Sequence, residues 1–242
     1  NTDITHPTVT TLYQQVTAPG NVTVNNAAYT TVGSTTTFSG ASDNWVLDNS
    51  GTGYYIVAGS GDLQVQRKDQ QTPSPTQTNP AILNPLTQAA IGYLNHGTAP
   101  SNAGYEYVTV PNTNSTSMQT LANSFQNSAT KPYAVINKTA NAHIIRHVAT
   151  GIYGLALFTP NSTVPGGTNI SANDQPCLVM YRPDAANTHM KLSLSNPDLG
   201  LPGPRSSDIC SYQPVRISFN GNWQLITPNP DITFVSSGTT GS

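Results

Sequence analysis

Two stretches hold residue types that could do chemistry. "HIIRH", His143 to His147, sets two imidazoles four residues apart around Arg146. On a helix they would lie one turn apart and could share a metal ion. On a strand they stand roughly 13 Å apart, at about 3.3 Å per residue, and cannot share one. The flanking Ile, Val and Thr favour the strand, so no metal is expected. The second stretch is "NHGTAPSNAGYEYVTVPN", 95 to 112. A His96-Gly97 pair and a turn-rich loop precede a strand on which Tyr105, Tyr107 and Thr109 recur at period two. Imidazole and phenol can move protons or line a sugar cleft. The same residues also read as a turn histidine and a sandwich edge strand. The candidate binding residues are therefore His96, Tyr105, Tyr107 and Arg146, with no catalytic residue assigned. Trp45, Tyr54 and Trp223 are further aromatic candidates for sugar stacking, or core residues of a sandwich.

Other chemistry finds no foothold. There is no nucleophile elbow, no phosphate loop and no Cys/His cluster at zinc spacing. Glu106 is the only glutamate, and no stretch suggests the paired carboxylates of a glycoside hydrolase. No cofactor is expected. Cys177 and Cys210 sit in strand-like contexts, as buried thiols or as a disulfide. The disulfide is the expectation; a loop of about 32 residues would contribute roughly 3–4 kcal/mol. Sequons at Asn21, Asn114, Asn137, Asn161 and Asn169 permit glycosylation in a secretory route.

Only 8% of the 242 residues are charged, and the net charge is −2. Nine Lys and Arg form no basic stripe, which argues against nucleic acid. The longest apolar run, "IYGLALF", 152 to 158, is too short to cross a membrane as a helix. Solubility must come from Asn, Gln, Ser and Thr. That composition suits an extracellular, secreted protein whose partners are glycans. The chain starts at Asn1 without a charged-then-apolar leader, as a processed product or a fragment would.

Scattered Gly and Pro between short alternating runs predict an all-β chain. "NVTVNN", "YTTVGSTTTFSG", "DLQVQRKD" and "TQAAIGYLNHG" read as strands, and "NWVLDNSGTGYYIVAG" as a hairpin turning at Asn49-Ser50-Gly51. "QQTPSPTQTNPAILNP", 70 to 85, carries four prolines and reads as a loop or linker. "STSMQTLANSFQNS" predicts one short helix, capped by Ser115 or Ser117, with Met118, Leu121, Ala122 and Phe125 on one stripe. Strands resume in "YAVINKT", "AHIIRHVATG", "IYGLALFTP", "PCLVMYRP", "MKLSLSNP", "PVRISFNG" and "NWQLITP". The Gly/Pro-rich "NPDLGLPGPRSSD" suggests a boundary near residue 200. The fold expected is a large antiparallel β super-sandwich over 1–200, with a small C-terminal β segment over 201–242.

"NWVLDNSGTGYYI", "NHGTAPSNAGYEYVTVPN", "VINKTANAHIIRHVATGIYGLALF" and "CLVMYRPDAANTHMKLSLSNPDL" follow one another in this order. Together they resemble the β-rich portion of polysaccharide lyase family 8, the hyaluronate, chondroitin AC and xanthan lyases, over roughly 45 to 200. The resemblance implies a central super-sandwich and a C-terminal β domain that in the family follow an α/α toroid. It implies an acidic polysaccharide as partner and β-elimination as the reaction. There an Asn and often an Arg neutralise the uronate carboxylate, His or Tyr takes the C5 proton, and Tyr protonates the leaving oxygen. Those residues come mainly from the toroid, and no part of this chain resembles it. None of the catalytic roles therefore carries over, although His96, Tyr105 and Tyr107 match the family pattern. Three readings stand: the β half of a lyase whose helical half is a separate chain or missing, a stand-alone glycan binder, and a structural or assembly protein. A large exposed apolar face would mark the first, and a polar face throughout the others.

Overall fold

A computed structural model describes residues 7–15, 22–29, 32–73, 83–101, 103–161, 163–197, 214–233 and 235. The chain divides into two compact units, Asn1–Thr130 and Lys131–Ser242. The predicted break near residue 200 falls in 198–213, outside the described residues.

The first unit runs β1 (Pro7–Gln15), β2 (Val22–Val24), β3 (Ala27–Tyr29), β4 (Ser34–Phe38), β5 (Asn44–Leu47), β6 (Gly53–Ile56), β7 (Asp62–Pro73), β8 (Leu83–Thr98), β9 (Tyr107–Val110) and helix α1 (Ser115–Phe125). Two antiparallel sheets form, ordered β1-β8-β7-β4 and β3-β2-β5-β6-β9. Their facing sides bury Tyr13, Val24, Val46, Ile56, Leu63, Val65 and Leu94. Because side chains alternate along a strand, Trp45 and Tyr55 point to the opposite face from Val46 and Ile56. That outer face is covered by α1, whose Met118 is fully buried against Trp45 and Tyr55. Phe125 stacks on Tyr55 with centroids 4.2 Å apart. The helical stripe falls where the sequence put it, but the cap is Asn114. Its Oδ1 accepts the Ser117 amide at 2.9 Å, and Ser115 is the first helical residue.

The two ends of the proline-rich stretch, 70–73 and 83–85, are strand rather than the loop or linker read from the sequence, and 74–82 lies outside the described residues. β7 continues to Pro73 and β8 begins at Leu83, with Gln71 opposite Pro85 and Pro73 opposite Leu83. β1 flanks β8 only as far as Ala90, and β4 flanks β7 only as far as Arg67. Beyond them the pair is a two-stranded ribbon, in which one side of each strand bonds to nothing in the sheet. Prolines lacking an N–H are tolerated there.

The second unit contains β10 (Tyr133–Lys138), β11 (Ala142–His147), β12 (Tyr153–Leu157), β13 (Ile170–Asn173), β14 (Cys177–Pro183), β15 (Met190–Ser195) and β16 (Ile217–Phe219). One antiparallel sheet is ordered β10-β11-β12-β14-β15, and β13 pairs with β16. Ile144, Leu155, Leu157, Ile170, Cys177, Val179 and Tyr181 make its core. "NWQLITP" is not a strand. Residues 222–227 are almost all exposed, and the Trp223 indole N–H donates to the Asn220 carbonyl at 2.7 Å. Alternation alone could not supply the partner strand that a ladder needs.

The β14–β15 hairpin turns on Asp184, whose carboxylate accepts from the Thr188 amide at 2.7 Å and hydroxyl at 2.9 Å. His189 Nδ1 lies 3.1 Å from the same carboxylate. The His189 amide, then the Thr188 hydroxyl and amide, hold the Asp184 carboxyl well below the usual range. A depressed folded pKa contributes stability above the unfolded value of about 3.9 and loses it on further acidification. The native second unit is expected to lose stability as pH falls below about 4, and an Asp184→Asn variant to show a shallower dependence there, read as melting temperature against pH. In the first unit, Met118→Ala should cost about 2–4 kcal/mol in urea unfolding followed by Trp45 fluorescence, because the helix loses its only fully buried anchor.

Candidate functional site

β1 and β9 are the last strands of their sheets, on the same side of the sandwich. Aromatic rings from several strands close that open edge. Tyr13 of β1 stacks on Tyr54 of β6 with centroids 5.7 Å apart. Tyr107 of β9 stacks on Tyr105 at 6.0 Å, and Tyr105 on His96 of β8 at 5.8 Å. His96 Nε2 lies 2.9 Å from the Thr10 hydroxyl of β1, the neighbouring strand of its own sheet, which fixes the imidazole end of the stack. The sequence explains the fit locally. Tyr13 sits opposite Gly92, where a Cβ would run into its ring, so glycine in mid-strand makes room for the phenol.

Thus the structure brings His96, Tyr105 and Tyr107 together. Tyr105 precedes β9 rather than lying on it and is half exposed. Thr109 lies on β9 opposite Tyr54 and is exposed. Burial, with the charge of buried Asp48, raises the pKa of both Tyr54 and Tyr13. Both phenols stay neutral at ordinary pH and can only donate or accept hydrogen bonds. Asp48 itself holds the β5–β6 turn, accepting from the Ser50 amide, the Ser50 hydroxyl and the Thr52 amide through one oxygen. Arg67 and Lys68 are the only cations before residue 131, and both lie on β7. Arg67 sits opposite Ala90, six residues and about 20 Å along β8 from His96. Among the described residues of the first unit, then, no Lys or Arg stands beside the ring stack. Tyr13 and Thr10 were not singled out by the sequence; the glycine opposite Tyr13 was the signal available.

Arg146 belongs to the second unit. Its guanidinium carbon lies 5.8 Å over the Tyr153 ring, which stacks face to face on buried Tyr181 at 4.8 Å. Tyr181 accepts the Asn169 amide through its hydroxyl. Arg146 thus caps an aromatic column on the core side of the sheet. His143 and His147 lie on strand β11, as expected. His143 meets Phe158 edge-on at 4.9 Å, and His147 Nδ1 bonds to Thr150. Among the described residues no three His, Cys, Asp or Glu side chains gather in metal-binding geometry. Among them too, no helix is long and apolar enough to cross a membrane.

The opposite side of that sheet is neither broadly apolar nor polar throughout. Gly154, Ala156 and Phe158 follow one another at period two along and just past β12. Ile145 and His143 flank them on β11, and Met180 and Leu178 on β14. The result is a trough of about 420 Å³, edged on β15 by Ser193 and Ser195.

Cys177 is fully buried, and burial would push its thiol up to about 11. Cys210, and with it the predicted disulfide, lies outside the described residues. Asn21 lies outside them too. Asn114 is exposed at the helix cap, while Asn137 accepts from the Thr139 hydroxyl. The side-chain amide of Asn161 donates to Thr159 and Asn173, and that of Asn169 to Asn187. Trp45 is core, and Trp223 is half-buried beside its own turn.

The sequence model of the polysaccharide lyase family 8 super-sandwich domain matches residues 1–122. The chondroitin sulfate ABC exolyase of Bacteroides thetaiotaomicron is 30% identical over 207 residues, which are 83% of this chain and 18% of that enzyme. The xanthan lyase of Bacillus sp. (strain GL1) is 27% identical over 186 residues, 72% of this chain and 18% of that enzyme. A solved chondroitinase AC lyase shares the fold with a TM-score of 0.59 at 21% identity, over 80% of this chain and 27% of that one. The chain spans about a fifth of the length of the curated relatives it matches. A family model matching half the chain, over the unit that carries the ring stack, places it: the chain belongs to polysaccharide lyase family 8.

Proposed function

We propose that this chain is the β portion of an extracellular lyase that cleaves uronic-acid-containing polysaccharides by β-elimination, and that it is not catalytic by itself. The observation that carries the reading is the family match over residues 1–122, combined with the state of the aromatic side chains within them. A β-elimination needs a base, an acid and a group that neutralises the uronate carboxylate, all at one sugar ring. In the first unit the imidazole of β8 and the phenols at β9 stack on one another, and the imidazole bonds to Thr10 on the strand beside it. They act as a structural closure. The chemistry belongs to a helical domain that this chain would support as a rigid wall.

The chain alone is expected to generate no unsaturated-uronate absorbance on chondroitin, hyaluronan or xanthan. A native assembly containing both this chain and a helical toroid should do so. Turnover by the isolated chain, abolished in His96→Ala or Tyr107→Phe, would overturn the assignment. Silence from every native assembly that contains the chain would move it to a stand-alone glycan-binding or assembly role. His96→Ala and Tyr107→Ala should instead act on stability, each costing about 1–3 kcal/mol in denaturant titration, because each opens the sandwich edge.

A further inference from the structure

The outward face of the five-stranded sheet in the second unit is built from a specific set of side chains. Cross-strand partners share a face. The outward positions are therefore Tyr133, Val135 and Lys138 on β10, His143, Ile145 and His147 on β11, and Gly154 and Ala156 on β12. On β14 and β15 they are Leu178, Met180 and Arg182, then Lys191, Ser193 and Ser195. None is acidic. The small residues of β12 form the floor of the trough, and Ile145 and Met180 its walls, at 47% and 57% exposure. Phe158 lies just past β12 beside that face, 47% exposed, with His143 set edge-on against it. Lys138, opposite His143, lies near the Phe158 end. Arg182 and Lys191, opposite each other, lie at the other. The two charged ends are four residues, or about 13 Å, apart along the strands.

A face made for another protein domain shares an apolar centre and a polar rim with this one but is poor in lysine. Here a shallow apolar floor, with Phe158 near one end, is ringed by hydroxyls, imidazole and cations. Pyranose rings present apolar C–H faces to such a floor and hydroxyls to such a rim. An acidic polysaccharide also carries anions at intervals along its length, which the separated cationic ends complement. The chain has only nine Lys and Arg, yet three of them stand on this one face; the carboxylate at its hairpin end, Asp184, is engaged by Thr188 and His189.

We infer that this face is an accessory binding surface for an acidic polysaccharide, with Phe158 as stacking platform and Lys138, Arg182 and Lys191 as anion contacts. The polymer class rests on the lyase reading above. It would hold the polymer near the enzyme between cleavage events, as a second attachment point.

The test is binding of the 242-residue chain, alone, to chondroitin sulfate and hyaluronan, with uncharged dextran as control. Titration calorimetry and affinity electrophoresis would be run at two salt concentrations. Binding to the acidic polymers but not to dextran is expected, weakening with salt. Phe158→Ala and the double variant Arg182→Gln/Lys191→Gln should each weaken it by about tenfold while melting temperature holds. Backbone hydrogen exchange of the unmutated chain, with and without polymer, supplies a readout that does not depend on any variant folding: protection should concentrate on β12, β14 and β15. Absence of binding, protection elsewhere, loss with the charge variant but not with Phe158→Ala, or a dimer that buries this face would each overturn the inference. Cleavage by a native assembly whose β chain shows no binding here would remove this surface and leave the lyase reading standing. Binding here without cleavage by any assembly would do the reverse.

Discussion

Burial of one sheet on both faces is the constraint from which the first unit follows. β5 and β6 place Val46 and Ile56 against the facing sheet, and Trp45 and Tyr55 against the helix. A strand buried on both sides cannot tolerate a one-residue slip, because the slip exchanges the two sets of side chains. The register of the hairpin is therefore fixed, and with it the height at which β9 pairs with β6. That height decides where Tyr107 stands relative to Tyr105 and His96. The ring stack at the sandwich edge depends on packing several strands away.

A chain this poor in charge satisfies many of its buried polar groups with short side chains folded back on the main chain; the Tyr13 hydroxyl and Gln15 Oε1 are exceptions. Buried Asn44 donates to the Ser39 and Ser42 carbonyls and accepts from the Asn25 amide. Asn25, in the left-handed region at φ 49°, accepts the Trp45 amide in turn. Asn173 donates to the Thr159 and Gln175 carbonyls in the second unit. Asp43 accepts from the Tyr55 hydroxyl and the Ala58 amide. Such local bonds need no long-range field, so they persist at any salt concentration and leave the few cations to surfaces. The abundance of Asn is thus part of how turns are made here.

Much of the fold was legible because period-two burial writes itself into the sequence. "NWVLDNSGTGYYIVAG" gave its hairpin and turn, "PCLVMYRP" its alternating strand, and Met118 its helical face. What escaped depends on partners distant in the chain. The prolines of 70 to 85 looked like a linker because nothing local says that β1 and β4 stop short and leave a ribbon. "NWQLITP" alternates yet finds no ladder. The aromatic edge was half visible: the spacing of Tyr105 and Tyr107 pointed to a shared surface, but Thr10 and Tyr13 reach it from a strand paired across most of the unit. The trough was missed for the same reason, since Phe158, Met180 and Lys191 meet only once the sheet order is known.

The register also has a consequence in time. β7 and β8 are neighbours in sequence, and their long pairing closes through a short connection. β1 joins the same sheet by placing Pro7 opposite Thr98, a contact about 90 residues apart along the chain. The loop-closure cost of that contact is met only after the strands between are already ordered. β1 should therefore dock late and detach early, as the least cooperative element of its sheet. Each detachment would uncover the outer edge of β8 and unstack Tyr13 from Tyr54, so the sandwich edge breathes at the rate of its first strand.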